Sequence, residues 1–396
     1  MSLADRIAQS VIKKYNELPK RGKPTVKGKG AQTKEEWTVL AGFVLENTQT
    51  SQLECVSLGT GLKCQHREQL SPYGDSLHDS HAEVIARRAL LVYLIDHFQD
   101  IFTKQDARYV FPRHLQLHLY TSRCPCGDAS IEPLDDKLSD STSEQPKAKR
   151  QRISQDPLTI VRGHQDFDSL GSLRLKPGRA DSIPTLSMSC SDKIAKWNAL
   201  GVQGSLLAML MAPLYISSIV VGDLYNHKSI DRAINQRGVS ALAGKDLPRH
   251  YRANICSISH TTVEFKKSQV YLKAKGVDVI TADASICWYH GLPPQKSVAL
   301  VNGSKQGAKL ALSGCQPHKL WPSICKISLL NRFLSVYEKL EPQGYLEFQQ
   351  HIYKSIKQQS TEYQQAKRQL LESSLFKDWV QCPAMYESFD RNGSIN

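Results

Sequence analysis

His81-Ala82-Glu83-Val84-Ile85-Ala86-Arg87-Arg88-Ala89-Leu90-Leu91-Val92-Tyr93-Leu94-Ile95 is the stretch on which the fold turns. Asp79 or Ser80 just ahead of it can cap a helix, which the pattern predicts from about His81 to Phe98. That helix is apolar nearly all round, as a core helix is. Arg87 and Arg88 are adjacent on it and point in different directions, so at least one faces the interior. A buried guanidinium without an anion is very costly.

Outward from this helix, periodicity and turn signals set the remaining elements. Ile7, Val11, Ile12 and Tyr15 recur at helical spacing near the start. Trp37 to Leu45 and Leu53 to Gly59 read as two strands joined by a polar turn, and Leu115 to Tyr120 as the next. Ser189 can cap a helix through Asn198, and Tyr215 to Gly222 is an apolar strand. Asp278 to Tyr289 and Ser297 to Val301 read as strands, and two helices close the chain, near Leu329 to Leu340 and Tyr345 to Leu371. Helices and strands alternate, so the expected class is α/β with a mixed sheet flanked by helices and a helical C-terminal extension. Residues 1–36 form an N-terminal helix and basic loop, and 37–396 one elaborated domain. Within it, Leu134 to Pro157 is rich in Asp, Ser, Lys, Gln and Pro and is expected to be a polar insertion. Its Lys147, Lys149, Arg150 and Arg152 are a candidate import or RNA patch.

The chain has 396 residues, a formal net charge of +13, 40% hydrophobic and 22% charged residues. That balance fits a globular protein with a polyanionic partner, of which nucleic acid is the commonest. Lys20, Arg21, Lys23, Lys27 and Lys29 form a basic N-terminal stretch that is a candidate phosphate contact. No apolar run approaches the ~20 residues of a membrane helix, and the first residues carry no signal core. An intracellular location, nucleus or cytoplasm, is expected. There the ten cysteines are thiols or metal ligands rather than disulfides. No Cys-x-x-Cys pair occurs, which argues against a zinc finger or a thioredoxin-type site.

His81-Ala82-Glu83 is followed by Pro125-Cys126-Gly127-Asp128-Ala129 and by Ser189-Cys190-Ser191. One His and two Cys suit tetrahedral zinc with a fourth position open for water. Zinc lowers the pKa of that water, and Glu83 is then the natural proton shuttle. A His-x-Glu followed by Pro-Cys is the pattern of nucleobase deaminases. The departure is the second cysteine. It usually stands three residues after the first, where this chain has Ala129, so Cys190 must come from far along the chain. Cys124 is the rival ligand, but two cysteines separated only by Pro125 would struggle to reach one metal together.

Ser189-Cys190-Ser191-Asp192-Lys193-Ile194-Ala195-Lys196-Trp197-Asn198, continuing Gly201-Val202-Gln203-Gly204-Ser205-Leu206-Leu207, resembles the adenosine deaminases acting on RNA. So do the blocks around His81 and Cys126, and the late Glu362-Tyr363-Gln364-Gln365-Ala366-Lys367. The resemblance runs from about Trp37 to Pro383. It implies a cytidine-deaminase-like core, zinc on His81, Cys126 and Cys190, and Glu83 as shuttle. It also implies a buried structural inositol hexakisphosphate, held by residues that match Arg87, Arg88, Lys193, Lys196, Trp197, Ser205, Lys305, Tyr353, Lys357, Tyr363, Lys367 and Trp379. Around Lys305 the match is loose, and Cys382 stands where the family has a lysine. Asp79 and Lys193 are expected to link the anion to the zinc side.

Two branches of that family differ in substrate. Editors of double-stranded RNA carry duplex-binding domains and a long Gly-rich loop between the cysteine motifs. Here the deaminase pattern starts near Trp37, and Lys176 to Pro184 runs almost directly into Ser187 to Cys190. An enzyme without a wedge does better on a base already unpaired, as in an anticodon loop. The resemblance therefore points to tRNA, beside the anticodon of alanine tRNA, with neither DNA nor a membrane as partner. The alternatives are a duplex editor, a catalytically silent RNA-binding homologue and a cytosine deaminase. Intact Glu83, His81, Cys126 and Cys190 speak against the silent homologue, and the wide cysteine spacing against the cytosine deaminase.

Overall fold

The computed structural model describes residues 1–28, 32–131, 161–162, 169–178, 182–183, 185–293, 296–308, 314–348 and 351–395. The polar insertion expected at 134–157 and Lys29 lie outside them. The centre is an eight-stranded mixed sheet built from β1 (Leu40–Asn47), β2 (Gln52–Thr60), β3 (Leu115–Arg123), β4 (Ser218–Asp223), β5 (Ser257–His260), β6 (Ala284–Tyr289), β7 (Val298–Val301) and β8 (Ser304–Lys305). Their spatial order is β5-β4-β3-β1-β2-β6-β7-β8. β3, β4 and β5 are mutually parallel, and every other neighbouring pair is antiparallel.

Strand periodicity sorts the core into two layers. Ala41, Phe43 and Leu45 of β1, with Leu117, Leu119, Ile219 and Val221, face helix α2 (Ala82–Asp96). Leu40, Val44, Leu58, Tyr120, Val220 and Ile286 face the opposite way, against Ile7, Ala8, Val11 and Tyr15 of α1 (Leu3–Glu17). Close approach of both helices depends on two glycines. A methyl at Gly42 would stand 2.6 Å from Val11 of α1, and one at Gly59 2.6 Å from Ile85 of α2. α2 is buried nearly all round, as its composition requires, and His81 occupies its N-cap position without a side-chain cap.

Three elements divide where continuous ones are expected. Trp37 to Leu45 becomes Lys34–Trp37 and β1, because the Thr38 N–H leaves the ladder for the Lys267 carbonyl. Asp278 to Tyr289 becomes Val279–Thr281 and β6. The first pairs with Lys34–Trp37 in a small three-stranded sheet, and Ala282 N–H bonding to the Trp37 carbonyl marks the crossing. The C-terminal region holds α5 (Pro342–Phe348), α6 (Tyr353–Gln358) and α7 (Thr361–Leu371) after α4 (Lys326–Leu340). Tyr353 N–H is drawn to the Phe389 carbonyl, and the Ser360 hydroxyl bonds back to the Lys357 carbonyl, so one long helix cannot form. The remaining helix that positions the site is α3 (Cys190–Leu200), capped as expected by Ser189.

Candidate metal centre and its basic cavity

His81 ends the short strand Asp79–His81, and its Nδ1 lies 2.8 Å from Asp79 Oδ1. A carboxylate on one ring nitrogen orients the imidazole and leaves Nε2 as the atom that could take a metal. Glu83 sits in the first turn of α2 and is buried. Cys126 follows β3, and Cys190 opens α3. Although 64 residues apart, the two are adjacent: the Cys190 N–H donates to Cys126 Sγ at 3.3 Å, and the Ser191 N–H donates to the Cys126 carbonyl at 3.0 Å. The Cys190 thiol donates to Glu83 Oε2 at 3.2 Å. Burial and the neighbouring Cys126 raise the Glu83 carboxyl above the ordinary range, so it is poised to hold a proton. Cys124, the rival ligand, instead turns its thiol to the Ala129 carbonyl.

The two cysteines hold protons unequally. Contact with Cys190 keeps Cys126 well below the usual thiol range, while burial holds Cys190 well above it, so the proton resides on Cys190. A divalent cation displaces such a proton, because a coordinating thiol is deprotonated outright. The soft sulfur pair, the imidazole Nε2 and the nearby carboxyl thus suit zinc chemically.

Sequence reasoning missed two residues here. Lys176, 2% exposed, places its ammonium 2.7 Å from Asp79 Oδ2 and 3.2 Å from Cys190 Sγ. Burial opposes its charge, but Asp79 and the cysteine sulfurs outweigh that and raise its pKa well above normal. Lys193 bonds to the same Asp79 oxygen. Burial alone would raise the Asp79 carboxyl, yet Lys176, Lys193 and His81 hold it well below the usual range. Cys64 is the second miss. Its sulfur lies 3.5 Å from His81 Nδ1. Among the described residues, Cys64, Asp79 and His81 are the one group of three metal-capable side chains whose ligand atoms all lie within 4.8 Å of one another. His81, Cys126 and Cys190 are not drawn that tight. Asp79, however, already serves two ammonium groups and the imidazole N–H, so it acts as the anchor of His81 rather than as a free ligand.

Behind α2 lies a cavity of about 300 Å³, lined by Arg87, Arg88, Lys193, Lys196, Trp197, Tyr363 and Trp379, as well as Lys326, Cys382 and Glu387. Both arginines of α2 reach it. A second cavity of about 480 Å³ shares Lys193, Lys196 and Trp379 and adds Lys357 and Lys367. Tyr353 stacks on Phe389, and the Lys357 ammonium stands 5.0 Å over the Tyr353 ring. Ser205 is half-buried in the turn Gly204–Leu207, beside Arg87, and is not in either lining. Lys305 is not brought to the cluster: its ammonium donates to the Lys319 carbonyl at the far edge of the sheet. Lys326, at the start of α4, stands in the cavity instead. In sequence it reads as an ordinary first-turn lysine, and no spacing signal marks it.

Charge in the cavity is lopsided. Its one lining carboxylate besides Asp79, Glu387, is held by Lys357 at 2.6 Å. Burial, then Lys367, Lys357, Arg87 and Lys193, hold Lys196 well below its ordinary value. Burial brings Arg87 down to about 10. The Lys196 ammonium rests 4.3 Å over the Trp379 ring and Arg87 5.1 Å over Trp197, which offsets only part of that cost. A multivalent anion is the species this lining fits.

Two further ion pairs brace the cysteine segments. Arg232 holds Asp128, two residues past Cys126, and Arg237 holds Asp192, two residues past Cys190, at 2.6 Å.

Comparison with known proteins accords with this geometry. Residues 57–383 match the adenosine-deaminase (editase) domain. The chain is 30% identical to the tRNA-specific adenosine deaminase 1 of Schizosaccharomyces pombe, over 96% of this chain and 95% of that protein. It is 40% identical to the protein of the same name from Drosophila melanogaster, over 58% of each chain. It is also 31% identical to the double-stranded RNA-specific editase Adar of Drosophila melanogaster, over 72% of this chain and 42% of that one. Among the described residues, no helix is long and apolar enough to cross a membrane. With the family match spanning most of the chain and the deaminase constellation gathered at the head of α2, this protein belongs to the adenosine-deaminase (editase) domain family.

Proposed function

We propose that this protein hydrolyses adenosine to inosine in tRNA, with zinc held by His81, Cys126 and Cys190 and with Glu83 as proton shuttle. The observation that carries the reading is the meeting of Glu83, Cys190 and Cys126 beside a histidine oriented by Asp79. Zinc, when bound, supplies Lewis acidity that makes water nucleophilic near neutral pH. Glu83 takes a proton from the attacking water and delivers it to the ring nitrogen next to the amino-bearing carbon. The resulting hydroxide oxygen adds to that carbon; Glu83 then takes the remaining proton from the adduct's hydroxyl and gives it to the amino group, so that the C–N bond breaks, ammonia leaves and the carbonyl of inosine forms. A raised Glu83 pKa serves both halves, since the group must accept a proton and give it back. Lys176, as a fixed cation on Cys190, favours the thiolate form of that ligand.

The basic cavity holds inositol hexakisphosphate on this reading. Arg87, Arg88, Lys193, Lys196, Lys357 and Lys367 supply cations, and Lys326 takes the part given to Lys305 in the sequence reading. Asp79 joins the two sites, because its oxygens serve His81 on one side and Lys193 on the other. The anion neutralises the cluster and lets the core close.

The relatives named as tRNA deaminases motivate the choice of substrate, and the adenosine beside the anticodon of alanine tRNA is the target we assign. An intracellular site of action, nucleus or cytoplasm, follows from that substrate. The deaminase domain spans 37–396, and α1 is joined to it through the second core layer. Incubation of purified protein with total tRNA, followed by sequencing for inosine, tests the activity. Inosine beside one anticodon and poor editing of perfect duplex RNA are expected; efficient duplex editing overturns the assignment. Mass spectrometry of denatured protein tests the anion.

A further inference from the structure

Three neighbouring parallel strands end side by side. β3 leads into Cys124-Pro125-Cys126, β4 leads into Leu224-Tyr225-Asn226-His227, and β5 ends on His260. The register sets Asp223 opposite Arg123 and Val221 opposite His260. The Cys124 N–H donates to the Asp223 carbonyl at 2.9 Å, so Leu224 begins directly beside the segment that carries Cys126. In sheets of this kind, ligands gather at the carboxyl ends of the parallel strands.

Leu224 is unusual on two counts. Its φ is 55°, in the left-handed region, where a branched side chain is strained. Ser51, Asp106 and Asn302 are the other non-glycine residues with positive φ among the described residues, and all three are small or polar. Leu224 is also 55% exposed, so no core packing repays the strain. Backbone bonds on one side and the Asn226 cap of the helix His227–Asp231 on the other hold it there. Strain of this sort persists where its surroundings over-determine it, and it concentrates at ligand clamps. Next to it, the Tyr225 ring lies against His260 at 5.1 Å between centroids with a tilt of 33°, and against His227 at 6.4 Å and 69°. Tyr225 is half-buried, and His227 and His260 are exposed, so this ring cluster meets solvent.

We propose that Leu224, Tyr225 and His260 form a platform that receives the unpaired bases flanking the target adenosine; this rests on the tRNA reading given above. A base drawn into the metal site leaves its neighbours without a stacking partner. Every base offers a π face to an aromatic ring, and an apolar side chain can wedge between bases. The row from Cys126 through Leu224 and Tyr225 to His260 follows the strand order, so it offers consecutive nucleotides consecutive partners. Lys228, exposed and next in sequence to His227, is placed for a phosphate.

The test uses the full chain with zinc and an anticodon stem-loop RNA carrying 2-aminopurine beside the target adenosine. Leu224→Gly should melt at a higher temperature than the parent, because glycine relieves the strain, and yet lose about tenfold in kcat/KM. Tyr225→Ala should lose about tenfold, mostly in KM, and abolish the quenching of 2-aminopurine on binding; Tyr225→Phe should keep both. Zinc content should match the parent in all three. Parental kcat/KM and quenching in Leu224→Gly and Tyr225→Ala overturn the platform, and so does a Tyr225→Phe as impaired as Tyr225→Ala. Should the parent edit no tRNA, the deamination reading falls, while the binding fluorescence still decides the platform.

Discussion

Lys176 and Asp79, 97 residues apart in sequence, form a buried ion pair of 2.7 Å, and the same ammonium reaches Cys190 Sγ at 3.2 Å. Removing one member of a buried pair leaves the other uncompensated, at a cost of about 3–5 kcal/mol. Lys176→Met should therefore lower unfolding free energy by about 3 kcal/mol, since Lys193 still serves Asp79. Denaturant melts measure this. Zinc content should fall as well, because Cys190 loses the cation that favours its thiolate. Unchanged stability together with full zinc occupancy would show the pair to be incidental.

Glu83→Gln should keep one zinc per chain and lose at least about 10³-fold in turnover, since the amide cannot carry the proton. Cys190→Ala should lose zinc. Metal analysis beside single-turnover kinetics separates the two. Zinc lost from Glu83→Gln makes Glu83 a ligand and the assigned role wrong, and zinc lost from Cys124→Ala but not from Cys190→Ala means the cysteine motifs are paired incorrectly.

Gly127 links the two cysteine segments through the space it leaves. Its φ is +103°, and a methyl there would lie 2.1 Å from Ser189 Oγ and 2.6 Å from Ser191 Oγ. Gly127→Ala should separate Cys126 from Cys190, release zinc and cost about 2 kcal/mol, in the range of one backbone strain. Chelator-competition measurements of zinc release report the separation directly. Parental zinc affinity in Gly127→Ala would mean that the segments can part without disturbing the metal.

These residues show what a sequence makes legible. Gly127 stands inside a motif, and its neighbours Cys126 and Asp128 announce it. α2 was readable because its apolar surface is unbroken, and α3 because Ser189 stands where a cap belongs. Lys176 was not readable: a lysine in a Pro/Gly-rich stretch looks solvated, and only the close return of 174–176 to Asp79 buries it. Cys64 stands opposite Asp79 in the antiparallel pair Leu62–Cys64 and Asp79–His81, which brings its sulfur to His81, and no periodicity fixes that register. Lys326 has the same difficulty, since a first-turn lysine carries no mark of what it faces. The divided strands at Thr38 and Ala282 depend on hydrogen bonds from other segments. Local pattern therefore located the motif residues, while the cations around them came from long-range packing.

The lowered cavity lysines, Lys196 and Lys326, contribute a pH dependence to stability whose direction is set mainly by burial. Lys196 is held well below its ordinary value of 10.5 by burial and by Lys367, Lys357, Arg87 and Lys193. Below 10.5 the unfolded chain binds a proton at this lysine that the folded chain resists, so stability rises with pH and is lost as pH falls toward the depressed folded value. Lys326, lowered mainly by burial, acts in the same direction. Lys357 is raised despite its burial, by Tyr353 and Glu387, so its contribution is complete below 10.5 and is lost only above it. Metal-free His81, raised to about 10, acts in the opposite direction between pH 7 and pH 9, so the lysine contribution is isolated by comparing the parent with Lys196→Met, both zinc-loaded. Zinc-loaded protein freed of bound anion should therefore gain more in melting temperature from pH 7 to pH 9 than Lys196→Met does. Added inositol hexakisphosphate should raise the melting temperature at both and flatten the difference, because the bound anion keeps these lysines charged. Lys196→Met, free of anion, should lose most of the slope and gain least from the anion. A slope that persists in Lys196→Met, or an anion that leaves the melting temperature unmoved, would place the polyanion elsewhere or nowhere on this protein.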